Sequence, residues 1–249
     1  MASIKLSKIS TQAPKDLDKN VIKLKTQEII KEIQDLQDVL IASQKKSLLI
    51  ILQGMDASGK DGITKNVFNN LNPLGIKVHS FKKPTPEEFS HDFLWRVHQV
   101  APAKGEIMIF NRSHYEDVLI QRVRKWIDEK TVQNRFDAIN NFEKLLIQND
   151  TVILKCYLHV SPEVQLGRLE ERKTDPKKMW KYNEQDWEER KLWDQYIKAY
   201  EDIFENCSKA VEWHIIPTDQ NWYKEYLIAE KTLNALKNMK LEYPKLITT

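Results

Sequence analysis

Hydrophobic residues occur at two different spacings along the chain, one typical of helices and one typical of buried strands. Between Ile22 and Leu40, isoleucine and leucine recur at helical spacing with charged and polar residues between them, which predicts an amphipathic helix that runs into Ser43. The polar stretch before it, to about Lys19, is predicted to be an extended arm. The apolar run Leu48–Leu52 then predicts a strand that is covered on both faces, because it does not alternate with polar residues.

After this first strand, predicted strands and helices alternate to the end of the chain. Further strands are predicted at Ile76–Phe81, Glu106–Phe110, Thr151–Val160 and Val211–Ile216. Helices are predicted at Asp61–Leu71, Glu87–Val97, Tyr115–Arg124, Thr131–Gln148, Pro162–Arg172, Glu184–Glu205 and Trp222–Lys237. This order predicts a three-layer α/β/α fold in which helices cover both faces of a five-stranded parallel sheet. Because ligands of such sheets bind beyond the carboxyl ends of the strands, functional residues are expected directly after them.

Composition narrows the class of protein. The chain has 249 residues, of which 41% are hydrophobic and 30% are charged, and this composition is typical of a soluble globular protein. A single domain is predicted over residues 1–249, in which residues 1–44 form the arm and the first helix. The 39 Lys and Arg residues exceed the 36 Asp and Glu residues by only +3 in net charge, so no nucleic-acid partner is predicted. An anion site must therefore come from local clustering of basic residues.

The chain shows no feature of a secreted or membrane protein. Its first ten residues contain no apolar core of signal-peptide length, and its longest apolar run is far shorter than a membrane span. The two cysteines, Cys156 and Cys207, form neither a disulfide framework nor a metal-ligand spacing. A cytoplasmic protein with no membrane partner is predicted.

A phosphate-binding loop follows the first strand. The sequence from Gly54 to Lys60 has the pattern G-x-x-x-x-G-K between a strand and a helix, the context that this P-loop motif requires. Small residues let backbone N–H groups approach phosphate oxygens, and the lysine and the helix N-terminus supply positive charge. The spacing favours this interpretation over a plain strand-to-helix turn with a surface lysine. The residues predicted to contact phosphate are Gly54, Ala57, Ser58, Gly59, Lys60 and Gly62.

Two aspartates make this loop unusual. Asp61 replaces the Ser or Thr that usually follows the lysine and holds Mg²⁺, and Asp56 lies within the loop itself. A carboxylate beside bound phosphates is repulsive unless a metal ion or a proton lies between them. Asp56 is therefore predicted to be a Mg²⁺ ligand, or a base that positions the reacting phosphate. Stabilisation of the helix N-terminus is the alternative for both aspartates, and it is the favoured explanation for Asp61.

The ends of the second and third strands carry candidate nucleotide-binding residues. Lys82 and Lys83 follow the second strand, where they are either a nucleotide-binding pair or a solvated one. Asn111 follows the third strand, at the position in which P-loop NTPases often carry a Mg²⁺-binding aspartate. Arg112 beside it can bind phosphate through two hydrogen bonds. Two acidic residues complete the candidate set after this strand, Glu116 and Asp117.

A cluster of basic residues follows the fourth strand, where nucleotide kinases often carry a mobile lid. Its six members are Arg168, Arg172, Lys173, Lys177, Lys178 and Lys181. Such a run is often a solvated face, but its position predicts a lid at about residues 168–190. Because so dense a cluster exceeds the needs of one triphosphate, it suits a long polyanion.

Four segments together resemble the polyphosphate kinase type 2 family, specifically its class III branch. They are GMDASGKDG (Gly54–Gly62), HDFLWR (His91–Arg96), FNRSHYEDVLIQRV (Phe110–Val123) and ERKTDPKKMWK (Glu171–Lys181). The resemblance covers nearly the whole chain from about Lys45 onward. It implies a fold similar to thymidylate kinase with a helical lid.

The resemblance also implies an activity. Phosphoryl groups would pass reversibly from inorganic polyphosphate to nucleoside mono- and diphosphates, AMP to ADP and ADP to ATP, with Mg²⁺ or alternatively Mn²⁺. It implies that Asp56 is the essential loop carboxylate, that Lys60 is the loop lysine, and that Arg112 and Arg172 bind phosphate. Members of classes I and II resemble Asp-Arg-Ser-Trp-Tyr-Asn-Arg at the positions that Asn111–Asp117 occupy in this chain. Asn111 stands in place of their aspartate, which weakens the case for a metal ligand at this position.

Two other functions are consistent with the same residues. An ATP-dependent nucleoside monophosphate or small-molecule kinase would share the loop and the lid. A non-catalytic P-loop protein could bind nucleotide or polyphosphate as a sensor, although simple binding does not require the carboxylate, lysine and arginine set. A homo-oligomer is expected, with the first amphipathic helix as either an interface or a core helix.

Overall fold

A parallel sheet of five strands forms the centre of the protein in a computed structural model, which describes residues 4–246. The strands are β1 (Ser47–Gln53), β2 (Ile76–Ser80), β3 (Ile107–Asn111), β4 (Thr151–His159) and β5 (Trp213–Pro217). Their order across the sheet is β2-β3-β1-β4-β5, and every neighbouring pair is parallel. The first strand therefore lies in the middle, and every residue of it is buried.

Helices cover both faces of this sheet. They are α1 (Lys19–Ser43), α2 (Lys60–Val67), α3 (Pro86–Ser90), α4 (Trp95–His98), α5 (Ile120–Val123), α6 (Glu129–Gln148), α7 (Pro162–Thr174), α8 (Gln185–Arg190), α9 (Trp193–Asn206) and α10 (Asn221–Asn238). Within residues 4–246, no helix is both long enough and apolar enough to cross a bilayer.

Each face of the sheet has its own hydrophobic core. Leu49 and Ile51 of β1 pack with α6 and α9 on one face, whereas Leu48, Ile50 and Leu52 pack with α1, α2 and α10 on the other. This division follows from the alternation of side chains along a strand. The predicted α/β fold with a five-stranded parallel sheet is confirmed.

Three predicted helices are divided in the structure. The segment predicted as Glu87–Val97 forms α3 and α4, and the Asp92 side chain between them accepts a hydrogen bond from the Leu94 N–H at 2.9 Å, which competes with helical bonding. Residues 184–205 form α8 and α9, and residues 115–124 begin as a 3₁₀ helix, His114–Val118, before α5. Sequence periodicity did not show these breaks.

The described part of the predicted arm packs against the domain. Leu6 is 1% exposed, and the carbonyls of Leu6 and Ile9 each lie 3.2 Å from the ring Nε2 of His159. Thr11 donates to the Asp219 carboxylate at 2.7 Å, and the Asp219 N–H donates to the Thr11 carbonyl at 3.0 Å. The arm prediction also includes residues 1–3, which lie outside the described residues.

Candidate phosphate-binding site

The loop between β1 and α2 has the backbone of a phosphate-binding turn. Gly54 has φ +151°, and a Cβ on it would lie 2.8 Å from the Leu158 carbonyl oxygen, so no larger residue fits. Gly59 has φ +99° and precedes the first residue of α2, Lys60. Ala57 also has positive φ, at 59°. The loop thus follows a buried strand and opens a helix, as its sequence predicts.

A cavity of about 600 Å³ lies over this loop at the carboxyl ends of the strands. Eight basic and four acidic side chains line it, so its lining is strongly positive although the whole chain is nearly neutral. The basic residues are Lys60, Lys82, Arg112, Arg168, Arg172, Lys178, Lys181 and Lys224, and the acidic residues are Asp56, Asp61, Glu171 and Asp186. Such a lining suits a polyanionic ligand.

Asp56 and Arg112 form an ion pair at the centre of this cavity. Arg112 also lies 3.5 Å from the Glu116 carboxylate and has φ +63°, a backbone conformation that is uncommon for non-glycine residues. Burial opposes the ionisation of Asp56, but the charges of Arg112 and Lys60 outweigh it and lower the carboxyl pKa below its ordinary value. Asp56 is therefore a carboxylate at neutral pH.

Lys60 is buried within the loop that it follows. Its ammonium donates to the carbonyls of Gly54 at 2.8 Å and Met55 at 3.1 Å. Burial, followed by the charge of Arg112, lowers the pKa of Lys60 to about 8. The lysine is thus cationic at pH 7, and an added phosphate would stabilise its charge.

The segment that follows β3 is fixed from behind by a buried polar network. The Lys155 ammonium donates to Glu143 at 2.7 Å and to the Tyr115 hydroxyl at 3.1 Å, and that hydroxyl donates to Glu143 at 2.6 Å. All three side chains are at most 1% exposed. Because Tyr115 lies three residues after Arg112, this network holds the backbone that presents the arginine.

The predicted lid contains one charged pair, and a second pair joins it to the first turn of α2. Arg172 donates to Asp186 at 2.5 Å, and Lys181 donates to Asp61 at 2.8 Å. Asp61 also accepts from the Asn111 amide at 2.8 Å. Asp61 lies in the first turn of α2, and its carboxylate joins the loop, β3 and the lid rather than acting only on the helix N-terminus.

Some residues proposed from the sequence do not line this cavity. Lys83 and Lys177 are exposed, and the Lys173 ammonium lies 3.9 Å from the ring centroid of Trp187. Gly54 and Ser58 lie behind the surface of the loop, where Ser58 is fully buried.

Asp117 lies in a smaller neighbouring cavity of about 100 Å³. It is 3.3 Å from the Arg96 guanidinium, and Arg135 also lines this cavity. Burial raises the pKa of Asp117 to about 6, while Arg96 and Arg135 oppose that rise. Phe89 and Phe93 give the same cavity aromatic surfaces. Asp117 is thus placed beside the cationic cavity and not within it.

Comparison with known proteins identifies the family. The family model described as polyphosphate kinase 2 matches residues 16–244. The chain belongs to the polyphosphate kinase 2 family. It is 43% identical over 216 residues to the AMP/ADP-polyphosphate phosphotransferase of Meiothermus ruber, an alignment that covers 86% of this chain and 81% of that protein.

Two further relatives agree with this placement in the polyphosphate kinase 2 family. The chain is 38% identical over 235 residues to the ADP-polyphosphate phosphotransferase of Rhodopseudomonas palustris, across 89% of this chain and 81% of that protein. The crystal structure of polyphosphate kinase 2 from Arthrobacter aurescens TC1 superposes with a TM-score of 0.96 at 37% identity, across all of this chain and 90% of that one.

Asn221 and Lys224 of this polyphosphate kinase 2 family member were not predicted to be site residues from the sequence. Both line the cavity from the first turn of α10, directly after β5. The rule that functional residues follow strands could have found them. The periodicity of Trp222–Lys237 instead assigned the whole segment to helix packing.

The acidic residues of the cavity have the chemistry to hold a hard cation. Asp56 provides a partly buried carboxylate and Asp61 an exposed one, and Asn111 carries an amide oxygen. No group of three or more His, Cys, Asp or Glu side chains in residues 4–246 forms a ready-made metal site. Mg²⁺ is commonly bound by one or two carboxylates together with substrate phosphates, and the residues present fit that arrangement.

Proposed function

We propose that this protein transfers phosphoryl groups reversibly between inorganic polyphosphate and nucleotides, converting AMP to ADP and ADP to ATP. One observation carries the proposal. A P-loop with a buried lysine and a partly buried carboxylate opens into a cavity with twice as many basic as acidic side chains. Membership of the polyphosphate kinase 2 family supports polyphosphate as the donor.

The phosphoryl transfer requires mainly positioning and neutralisation of charge. A terminal phosphate oxygen of the nucleotide attacks the end phosphorus of polyphosphate, and the bond from that phosphorus to its bridging oxygen breaks. The shortened polyphosphate leaves with the electron pair. Lys60 and the loop N–H groups bind the transferred group, and Arg112 and Arg172 stabilise the charge that develops on it.

Mg²⁺, or Mn²⁺ in its place, is proposed as the metal cofactor, with Asp56 as its protein ligand. When bound, the ion would neutralise phosphate charge. The ionised state of Asp56 at neutral pH supports this role. The ion pair with Arg112 fixes the direction of the Asp56 carboxylate within the cavity.

The acceptor nucleotide is proposed to bind on the β2 and β3 side of the cavity. Lys82 and Asn111 line this side together with Phe81, an aromatic residue that is itself mostly buried. The neighbouring cavity around Asp117 has two further phenylalanines. Aromatic surfaces of this kind suit a nucleoside, whereas polyphosphate requires only charge and hydrogen bonds.

An assay without added ATP tests this proposal. The protein is incubated with Mg²⁺, long-chain polyphosphate and either AMP or ADP, and the products are separated by ion-exchange chromatography. ADP formation from AMP and ATP formation from ADP are expected. Phosphorylation that occurs only when ATP is the donor would instead indicate an ordinary nucleotide kinase, and polyphosphate binding without turnover would indicate a sensor.

The same assay tests the residue roles. Asp56→Ala is expected to lower turnover by on the order of a hundredfold or more, because the protein would lose the proposed ligand of the metal ion that neutralises phosphate charge. Asp38→Ala, on the exposed face of α1, is the matched control and should leave turnover unchanged. A near-normal rate for Asp56→Ala would remove Asp56 from the mechanism. Cytoplasmic location and homo-oligomeric assembly stay predictions from the sequence.

A further inference from the structure

Two cations, a buried lysine and a partly buried arginine, meet beside Gly59, on the β4 and β5 side of the sheet. Arg168 of α7 donates to the carbonyls of Ala57 at 3.1 Å and Thr218 at 2.7 Å. Lys224 of α10 donates to the Asn221 side chain at 2.7 Å and is 2% exposed. A Cβ placed on Gly59 would overlap the Lys224 ammonium and would lie 3.9 Å from an Arg168 nitrogen. Both cations thus lie directly against the phosphate loop.

These two cations differ from most others in the cavity because they have no acidic partner. Arg112, Arg172, Lys178 and Lys181 are each paired with a carboxylate of the protein. Among residues 4–246, neither Arg168 nor Lys224 has a carboxylate within ion-pair distance, and their hydrogen bonds go to carbonyl and amide oxygens.

Two like charges that are buried together without a counter-ion destabilise the folded protein. Burial, followed by the charge of Arg168, lowers the pKa of Lys224 to about 8, and burial also lowers the pKa of Arg168. An anion placed between them would remove both effects. Two neighbouring cations that lie at a cavity wall without a carboxylate partner are typical of an anion-binding position.

The residues around Lys224 and Arg168 favour polyphosphate over a nucleoside as the ligand on this side of the cavity. The residues that line this side of the cavity from α7 and α10 are Arg168, Glu171, Arg172, Asn221 and Lys224, and none of them is aromatic or apolar. The ring that lines the cavity, Phe81, follows β2, at the opposite edge of the sheet. Phosphate groups alone match this side.

We propose that Lys224, together with Arg168, binds a phosphate group of the polyphosphate donor that is not itself transferred. The donor chain would then run from the loop toward the β5 edge of the sheet, while the nucleotide binds toward β2. This inference rests on the proposed function, and it assigns a binding role to Lys224, a residue outside both the loop and the lid.

Substitution of Lys224 tests the inference. Lys224→Met removes the charge and keeps the length of the side chain, and Lys224→Arg restores the charge. Lys231→Met is the matched control, because Lys231 lies on the same helix two turns further on and does not line the cavity. The measurements are KM for polyphosphate at saturating ADP and KM for ADP at saturating polyphosphate.

The expected result is a KM for polyphosphate raised on the order of tenfold in Lys224→Met, as for loss of a charge-assisted hydrogen bond. The KM for ADP should stay within about twofold in the same variant, Lys224→Arg should recover most of the loss, and Lys231→Met should match the parent protein. An unchanged KM for polyphosphate, or an equal or larger rise in the KM for ADP, would overturn the inference.

A binding measurement separates this inference from the proposed function. Tripolyphosphate is titrated into each variant by calorimetry without nucleotide, so that no turnover is needed. Weaker binding by Lys224→Met than by Lys231→Met supports the site even if the protein catalyses no transfer, and equal binding overturns it. Circular dichroism checks that each variant is folded, and Lys224→Gln replaces Lys224→Met if the latter does not fold.

Discussion

Lys60 and Lys224 are two lysines that the fold buries beside one loop, and each has a pKa of about 8. Burial is the first cause in both cases, because desolvation disfavours the charged form of an ammonium group. An extended, solvated lysine would keep its proton to about pH 10.4. The two side chains therefore make the free energy of unfolding depend on pH in a range where the lysines of most proteins contribute little to that dependence.

The sign of this dependence follows from proton counting. Between about pH 8 and pH 10.4 the unfolded chain keeps protons that the folded protein has released, so the free energy of unfolding rises with pH across this window. Below pH 8 both states are protonated, and the destabilisation by the buried charge is complete. For Lys224 it amounts to about 3 kcal/mol at most.

Urea unfolding of the parent protein and of Lys224→Met at pH 7, 8, 9 and 10 measures this effect. Lys224→Met is expected to be the more stable of the two at pH 7, and the difference should shrink as the pH rises. Comparison with the variant removes the contributions of other titrating groups, such as the buried tyrosines. A difference that stays constant from pH 7 to pH 10 would contradict the assigned pKa.

Contacts within one local segment could be predicted from the sequence, whereas contacts between distant segments could not. The loop glycines and Lys60 follow from a motif whose geometry lies within a few residues. The contact of Lys224 with Gly59 joins positions far apart in the chain. No periodicity shows such a contact, because it depends on the sheet order that places β5 near β1.

At the scale of elements, the basic cluster after β4 divides into two groups. Lys178 and Lys181 line the cavity, whereas Lys177 is exposed and points to no residue of the site. The sequence shows six positive charges within fourteen residues but not the directions of their side chains. Those directions come from the 3₁₀ turn Met179–Lys181, which follows the end of α7.

This division predicts different effects for neighbouring lysines. Lys178→Ala and Lys181→Ala are each expected to raise the KM for polyphosphate roughly two- to fivefold, the effect of one partly exposed charge pair. Lys177→Ala is the matched control and should change the KM by less. Because the interactions are partly exposed, the effects should decrease at high ionic strength. Equal effects for all three variants at low salt would show that the cluster acts only through its total charge.

The breaks between α3 and α4 and between α8 and α9 also belong to the scale of elements. Apolar periodicity continues across both breaks, so the sequence predicted one long helix in each case. In the structure Asp92 and Leu192 lie at these breaks, where local bonds to Leu94 and Glu189 replace the helical pattern. Neither the side-chain bond at Asp92 nor the backbone bond at Leu192 leaves a trace in the spacing of hydrophobic residues.

At the scale of the whole molecule, the chain before α1 is part of the fold. Leu6 is buried in the same core as β1, although it lies far from that strand in sequence. The segment contains few apolar residues, so its composition predicted an arm. One leucine with several backbone hydrogen bonds is sufficient to attach it to the domain.

Leu6→Ala is therefore expected to lower the free energy of unfolding by about 3 kcal/mol, through lost burial and the cavity that remains. Leu24→Ala is the matched control, because Leu24 is 62% exposed on α1 and should change stability by about 0.5 kcal/mol or less. Chemical denaturation followed by tryptophan fluorescence measures both. Equal stability of the two variants would show that the segment is not attached as the structure describes.

The attachment of this segment links the start of the chain to the anion-binding side of the cavity. Thr11 bonds to Asp219, and Arg168 donates to the backbone carbonyls of Thr218 and Asp219. A protein shortened to begin at residue 16, where the family match begins, would lose Thr11 and leave the β5–α10 connection without that support. Shortened versions made for crystallisation or biocatalysis should therefore retain these first residues, with any purification tag added before them.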